Sequence, residues 1–319
     1  EDVTNPTNVQ VTQITANGSL AATSSTQASG TLVIADQNNN PITGLTSQNV
    51  TVNLVWGNMA QTGSSVTCTV LIQSLSQSGK NIAVATTMDY SGSMETGGYN
   101  STASKYQQIL DMENGVKTFV NALGANDICE IIKFDSYVEV FQTFTNSKQA
   151  LINAVDSVGW FGGSTALYQS IYTGVQDLAS ISSSLYARAV VAFTDGGENA
   201  SSVDFNTMIR TANANAVPVY TIGLFDSSYH STPPGLKYYA EKTLVDIADS
   251  TGGFYFYAPN ASELVQIYNS ISGQLTNAYT ITITWPTTTL PASGTLVTAF
   301  ITVNYNGLIS QFQRDFIMP

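Results

Sequence analysis

The hydrophobic pattern of the chain changes period twice. Val50, Val52, Leu54 and Trp56 alternate strictly with polar neighbours, and Val66, Cys68, Val70 and Ile72 repeat the alternation, as strands with one buried face do. Further on, Ile82 to Thr86 and Val190 to Phe193 are near-continuous apolar runs, the pattern of strands buried on both faces. Between them Ile109, Met112, Val116, Phe119, Val120 and Leu123 recur at spacings of three and four, which predicts a helix that Gly124 stops. A last helix carries Leu264, Ile267, Tyr268, Ile271 and Leu275 inward, with Asn260 and Glu263 as its capping box. Strict alternation then returns at Tyr279, Ile281, Ile283 and Trp285, and Asn306-Gly307 predicts a type I′ hairpin between two more strands.

Alternating strand and helix patterns in the middle of the chain predict an α/β domain with a doubly wound, mostly parallel sheet over residues 79–276. The flanks, residues 1–78 and 277–319, show no helix of any length. An isolated hairpin cannot bury enough surface to stand alone. The two flanks are therefore expected to combine into one all-β sandwich, with the α/β domain inserted in it or flanked by it; two separate small β-domains are the rival arrangement. Cys68 and Cys129 fall in different predicted cores, so they read as two buried thiols rather than a disulfide, which needs Cα atoms about 4.4–6.8 Å apart.

Candidate chemistry concentrates in residues 82–94, IAVATTMDYSGSM, where an apolar run delivers Asp89, Ser91 and Ser93 into the following loop. One carboxylate and two hydroxyls at alternate positions make an oxygen-only cradle for a hard divalent cation. Thr165 in GGSTALY and Asp195 in VVAFTDGGEN add two further oxygen donors after other predicted strands or turns. At these five positions the chain resembles the von Willebrand factor A family, whose metal-ion-dependent adhesion site is written DxSxS, then Thr, then Asp. The resemblance runs over roughly residues 79–276, because VEVFQTF, STALYQSI, VVAFTDGGEN, VPVYTIGL and LVDIADSTGGFYFYAPNASELVQIYNSI occur in the order that bacterial members show. The segment DQNNNPITGLTSQNVTV also resembles a β-segment that precedes this domain in some exported bacterial proteins.

The resemblance implies a Rossmann-like fold and an adhesion module of an extracellular or cell-surface protein. It implies a metal held by Asp89, Ser91, Ser93, Thr165 and Asp195, with the hydroxyls in direct contact and one or both aspartates acting through water. Mg²⁺ is the leading cation, since it favours octahedral oxygen ligands and keeps several waters; Mn²⁺ and Ca²⁺ are the alternatives. A largely neutral ligand shell leaves the ion electrophilic, so the implied partner is a protein with an exposed Asp or Glu, on a host or in a surface matrix. Tyr90, Trp160 and Phe161 are the candidate ligand contacts beside the metal, as aromatics that can anchor a partner.

Composition narrows the classes further. Only 10% of residues are charged, against about 25% in an average soluble domain, and Ser, Thr, Asn, Gln and Tyr take over the polar role as is common in exported proteins. Net charge is −12 and the ten Lys and Arg form no run, which argues against a nucleic-acid partner. No apolar stretch approaches the ~20 residues needed to span a bilayer as a helix. The chain opens at Glu1 with neither a charged nor an apolar leader region, so export is an expectation from composition and resemblance.

An enzyme is not expected. His230 is the single histidine, and GxSxG, HExxH and GK[ST] are absent. The alternative of a different class is a structural subunit of an extracellular fibre, pilus or surface layer, self-assembling as its Ser-, Thr- and Asn-rich arm adds a strand to a neighbour's sheet; the same stretch also reads as an ordinary first strand or a flexible terminus. That alternative predicts that removing residues 1–20 abolishes association.

Overall fold

The structure is a computed structural model that describes residues 10–57, 59–96, 107–157, 162–224, 236–258, 261–288 and 290–319. Its centre is a six-stranded sheet ordered β11-β10-β9-β6-β7-β8. The strands are β6 (Asn81–Asp89), β7 (Ile128–Phe134), β8 (Val138–Thr145), β9 (Tyr186–Thr194), β10 (Val219–Gly223) and β11 (Tyr255–Tyr257). All pair in parallel except β8, which closes one edge antiparallel to β7.

Both faces of this sheet are covered, which is why its central strands read as unbroken apolar runs. Three short helical turns, α1 (Met59–Thr62), α2 (Leu75–Ser78) and α3 (Gly92–Thr96), precede the long helices. On one face Ile82, Val84 and Met88 of β6 pack with α4 (Gln107–Ala122), α5 (Lys148–Asp156) and α9 (Ala261–Thr276). Ala83 and Ala85, the alternate residues, face α6 (Leu167–Ala179), α7 (Phe205–Ala214) and α8 (Leu236–Thr251) on the other. The residues expected to face inward from α4 and α9 are buried, Leu264, Ile267, Tyr268, Ile271 and Leu275 among them. Asn260, the expected cap of α9, lies outside the described residues.

The flanking segments build two four-stranded antiparallel sheets around one core. Their strands are β1 (Ile14–Ser24), β2 (Gln27–Asp36), β3 (Val50–Trp56), β4 (Val66–Thr67), β5 (Thr69–Ser74), β12 (Tyr279–Thr284), β13 (Leu296–Tyr305) and β14 (Leu308–Ile317). One sheet runs β1-β2-β12-β5 and the other β14-β13-β3-β4, so each contains strands from both sides of the central domain. Leu32, Val52, Ile283 and Val303, from both sides of the central domain, share that core. The chain leaves the sandwich after β5 and returns at β12, where Leu75 N–H donates to the Ala278 carbonyl at 3.0 Å, the adjacency that an inserted domain requires. The Asn306-Gly307 hairpin forms with φ of 52° and 86°, in the left-handed region a type I′ turn needs.

One expectation changes, and one open alternative narrows. The alternating run through Cys68 is not one strand: β4 pairs with β3 in one sheet, β5 pairs with β12 in the other, and the chain crosses between the sheets at Cys68. Alternation survives a crossing because both pieces face the same core, but Cys68 is left half-buried, while Cys129 is fully buried and both thiols are free. The N-terminal stretch is also not a free arm from residue 14 onward. β1 pairs with β2 from Ile14 to Ser24, so a deletion of residues 1–20 would cut into the chain's own sandwich.

The sandwich is fixed to the amino-terminal end of the central sheet. The Asn17 amide donates to the Gly253 carbonyl at 2.6 Å, the Ser19 hydroxyl donates to the Ala216 carbonyl at 3.1 Å, and the buried Arg314 guanidinium donates to the Gly18 carbonyl and the Asn17 side-chain oxygen. Gly252, at φ 94°, brings its backbone so close to the Gly18 carbonyl that a Cβ there would overlap it.

Candidate metal centre

The five predicted donors converge at the carboxyl-terminal edge of the central sheet, where ligands bind in open α/β folds. β6 ends at the buried Asp89, and its Oδ1 accepts the Ser91 N–H at 2.7 Å, a local turn that aims Ser91 and Ser93 back over the strand end. Gly92 N–H donates to the Gly163 carbonyl at 3.1 Å, which ties this turn to the loop carrying Thr165. The Ser91 and Ser93 hydroxyl oxygens lie 3.2 Å apart, and the Ser93 hydroxyl donates to Asp195 Oδ1 at 2.6 Å. β9 ends at Thr194, whose hydroxyl donates to Asp89 Oδ2 at 2.5 Å and thereby locks the two central strand ends together.

Thr165 reaches the same space from a different element. A Cβ built on Gly196 would lie 2.9 Å from Ser93 Oγ and 3.5 Å from Thr165 Oγ1, so both hydroxyls border the volume above Gly196 that the missing side chain leaves open. The Thr165 backbone is held by its N–H to Asn199 Oδ1 at 2.7 Å and by its carbonyl, which accepts from the Asn199 and Ala200 N–H groups at 3.0 and 3.2 Å. Glu198 accepts from the Tyr168 N–H at 2.8 Å and from the Ala200 and Ser201 N–H groups at 2.8 and 2.7 Å, fixing the first turn of α6 behind Thr165.

The electrostatics favour a bound cation. Burial first, and the neighbouring Asp195 second, push the Asp89 carboxyl up to about 7, against the hydrogen bonds from Thr194 and Ser91 that lower it. A divalent cation beside these carboxylates would offset both raising causes. The donors are two carboxylates and three hydroxyls, a hard oxygen set that suits Mg²⁺ or Mn²⁺ better than a thiolate- or imidazole-preferring ion. Among the described residues no group of three or more His, Cys, Asp or Glu is placed to hold a metal.

The candidate ligand contacts divide differently. Tyr90 is 1% exposed, its hydroxyl donates to Glu113 at 2.9 Å, and the Lys133 ammonium sits 4.8 Å from its ring, so it faces the core and not an incoming ligand. Its position between two loop residues is misleading because the turn at Ser91 directs its side chain inward. Trp160 and Phe161 lie outside the described residues. Sequence reasoning missed Thr194, Glu198 and Asn199, which position the donors without belonging to the DxSxS pattern; the run TDGGEN around Asp195 was the available signal.

Residues 84–270 match the family described as von Willebrand factor type A domain. No curated protein matches the chain. Among solved structures it is similar to the conserved hypothetical protein BatB from Bacteroides thetaiotaomicron, at 17% identity over 60% of this chain and 98% of that one, with a TM-score of 0.47. A von Willebrand factor type A protein from Catenulispora acidiphila is similar at 11% identity over 99% of this chain and 76% of that one, with a TM-score of 0.49. Proximal thread matrix protein 1 from the mussel byssus, with a zinc-occupied MIDAS motif, is similar at 16% identity over 67% of this chain and 49% of that one, with a TM-score of 0.49.

Proposed function

The chain belongs to the von Willebrand factor type A domain family, whose domains mediate protein–protein interaction, and from that premise we propose that it is a metal-dependent adhesion module of an exported surface protein. The observation that carries this reading is the convergence of Ser93 and Thr165 hydroxyls on the open volume above Gly196, beside the buried Asp89 and Asp195. Ser91, Ser93 and Thr165 would hold a divalent cation directly, and the two aspartates would balance its charge. A cation bound there supplies an electrophilic point that a partner's carboxylate can complete.

The chain's own residues do the remaining work. Thr194 and the Ser91 turn hold Asp89 in place, while Asn199 and Glu198 keep the Thr165 loop seated when a partner pulls on the site. In this reading the protein recognises an acidic side chain and performs no catalysis. No helix among the described residues is long and apolar enough to cross a membrane. The uncharged polar composition supports a surface location for such a module.

A peptide array carrying Asp- and Glu-containing sequences beside their Asn and Gln counterparts, probed with the intact chain in Mg²⁺ and in EDTA, tests the proposal. Binding restricted to the acidic peptides and lost in EDTA is the expected result. Equal binding to the amide peptides, or binding that EDTA leaves untouched, would contradict it.

A further inference from the structure

The opposite end of the central sheet holds a second polar recess. β6 and β9 start side by side there, with Asn81 opposite Tyr186 and Ala83 opposite Arg188; Lys80 immediately precedes β6, and Arg188 sits two residues into β9. Both line a cleft of about 520 Å³ between this edge and the sandwich sheet β1-β2-β12-β5. That volume lies within the ~300–1,000 Å³ of small-ligand sites. The chain has 22 acidic residues against ten basic ones, yet none of the described residues lining the cleft is acidic. Hydroxyls supply most of the rest of its polar lining, including Ser29 and Thr282, whose oxygens lie 3.2 Å apart.

The two bases differ in what holds them. Arg188 donates to the carbonyls of Leu178, Ile181 and Asn215, so it is rigid, but its partners are neutral and its charge is not cancelled by them. Lys80 is half-buried and has no hydrogen bond or ion pair among the described residues. Burial first, and the positive Arg188 second, lower the Lys80 ammonium from its ordinary value. Two like charges in a recess without a counter-charge are mutually unfavourable, and an anion seated between them removes the repulsion and gains two charge-assisted hydrogen bonds. A purely structural role accounts for Arg188, which ties the end of α6 to the turn before β10. It does not account for Lys80.

We propose that this cleft is an anion-binding site for a small oxyanion, a carboxylate, sulfate or phosphate group, with Lys80 and Arg188 as its charge partners and the Ser29–Thr282 hydroxyl pair as a neutral donor beside them. The group is either free or borne on a hydroxylated body such as a sugar acid, which the hydroxyl-rich walls suit. The site is independent of the metal centre, from which the whole length of β6 separates it.

Calorimetric titration of the intact chain at low ionic strength with inorganic sulfate, inorganic phosphate and glucuronate tests the assignment. At least one probe should bind at a single site, about tenfold or more weaker in Lys80→Gln, restored in Lys80→Arg, and unchanged in Asp89→Ala. Glucuronate tighter than both inorganic ions identifies a saccharide-borne acid, and the reverse order a free inorganic ion. No saturable binding of any of the three, or equal binding by Lys80→Gln that melts like the parent, would overturn the proposal.

Discussion

At the carboxyl ends of β6 and β9 the chain leaves two buried carboxylates, Asp89 and Asp195, among hydroxyls; at the amino ends of the same strands it leaves Lys80 and Arg188, again among hydroxyls. In each place Ser and Thr hydroxyls surround one pair of titratable groups, acidic at the carboxyl edge and basic at the amino edge. The edges differ also in what covers them. Asn17, Ser19 and Arg314 bind the sandwich to the amino edge, which leaves a cleft of small-ligand size. Those bonds all lie at the amino edge, one strand length from the five candidate donors. A low-charge chain thus places an acidic pair and a basic pair about one strand length apart, without clustering charges in its sequence.

The comparison breaks most severely at the seam. Replacing Gly252 by Val places a side chain against the Gly18 carbonyl at a left-handed φ of 94°, and we expect a loss of about 3 kcal/mol or more in urea unfolding. A Gly252→Val protein with the parent's unfolding midpoint would mean that the sandwich does not rest on this edge as described.

A smaller effect separates the seam from the body of the sheet. Glu130 on β7 is 2% exposed, its Oε2 atom has no hydrogen-bond partner, and burial first, then Asp177, push its carboxyl up to about 8 from 4.5. Because the folded state retains this proton longer than the unfolded chain, the stability that the neutral group provides is complete below pH 4.5 and is lost as pH rises to about 8. Glu130→Gln cannot titrate. Its melting temperature should match the parent's trend below pH 4.5 and pull ahead by about 2–4 °C near pH 8.5. A constant difference across this range would show that Glu130 does not change ionisation on folding.

Much of this architecture was legible in the chain. The double-faced strands at residues 82–86 and 190–193, the helix faces of α4 and α9, and the Asn306-Gly307 turn each carry a local signature that tertiary packing reinforces. The crossing at Cys68 was illegible because both halves of the alternating run point into one core, and period alone does not report a change of sheet. At the candidate metal centre, residue types singled out five positions that the fold brings to one sheet edge. The direction of Tyr90 and the supports from Thr194, Glu198 and Asn199 depend on loop geometry, which spacing does not encode. Lys80 and Arg188 lie far apart in sequence and come to one cleft only because β6 and β9 start side by side.

Everything adhesive in this account rests on one ion, so the most direct measurement is calorimetric titration of Mg²⁺ into the intact chain, Asp89→Ala and Gly196→Ala. The account predicts one saturable site, lost in Asp89→Ala and about tenfold weaker in Gly196→Ala, whose new methyl group would enter the space between Ser93 and Thr165. No binding by the intact chain, or equal binding by all three proteins, would contradict it.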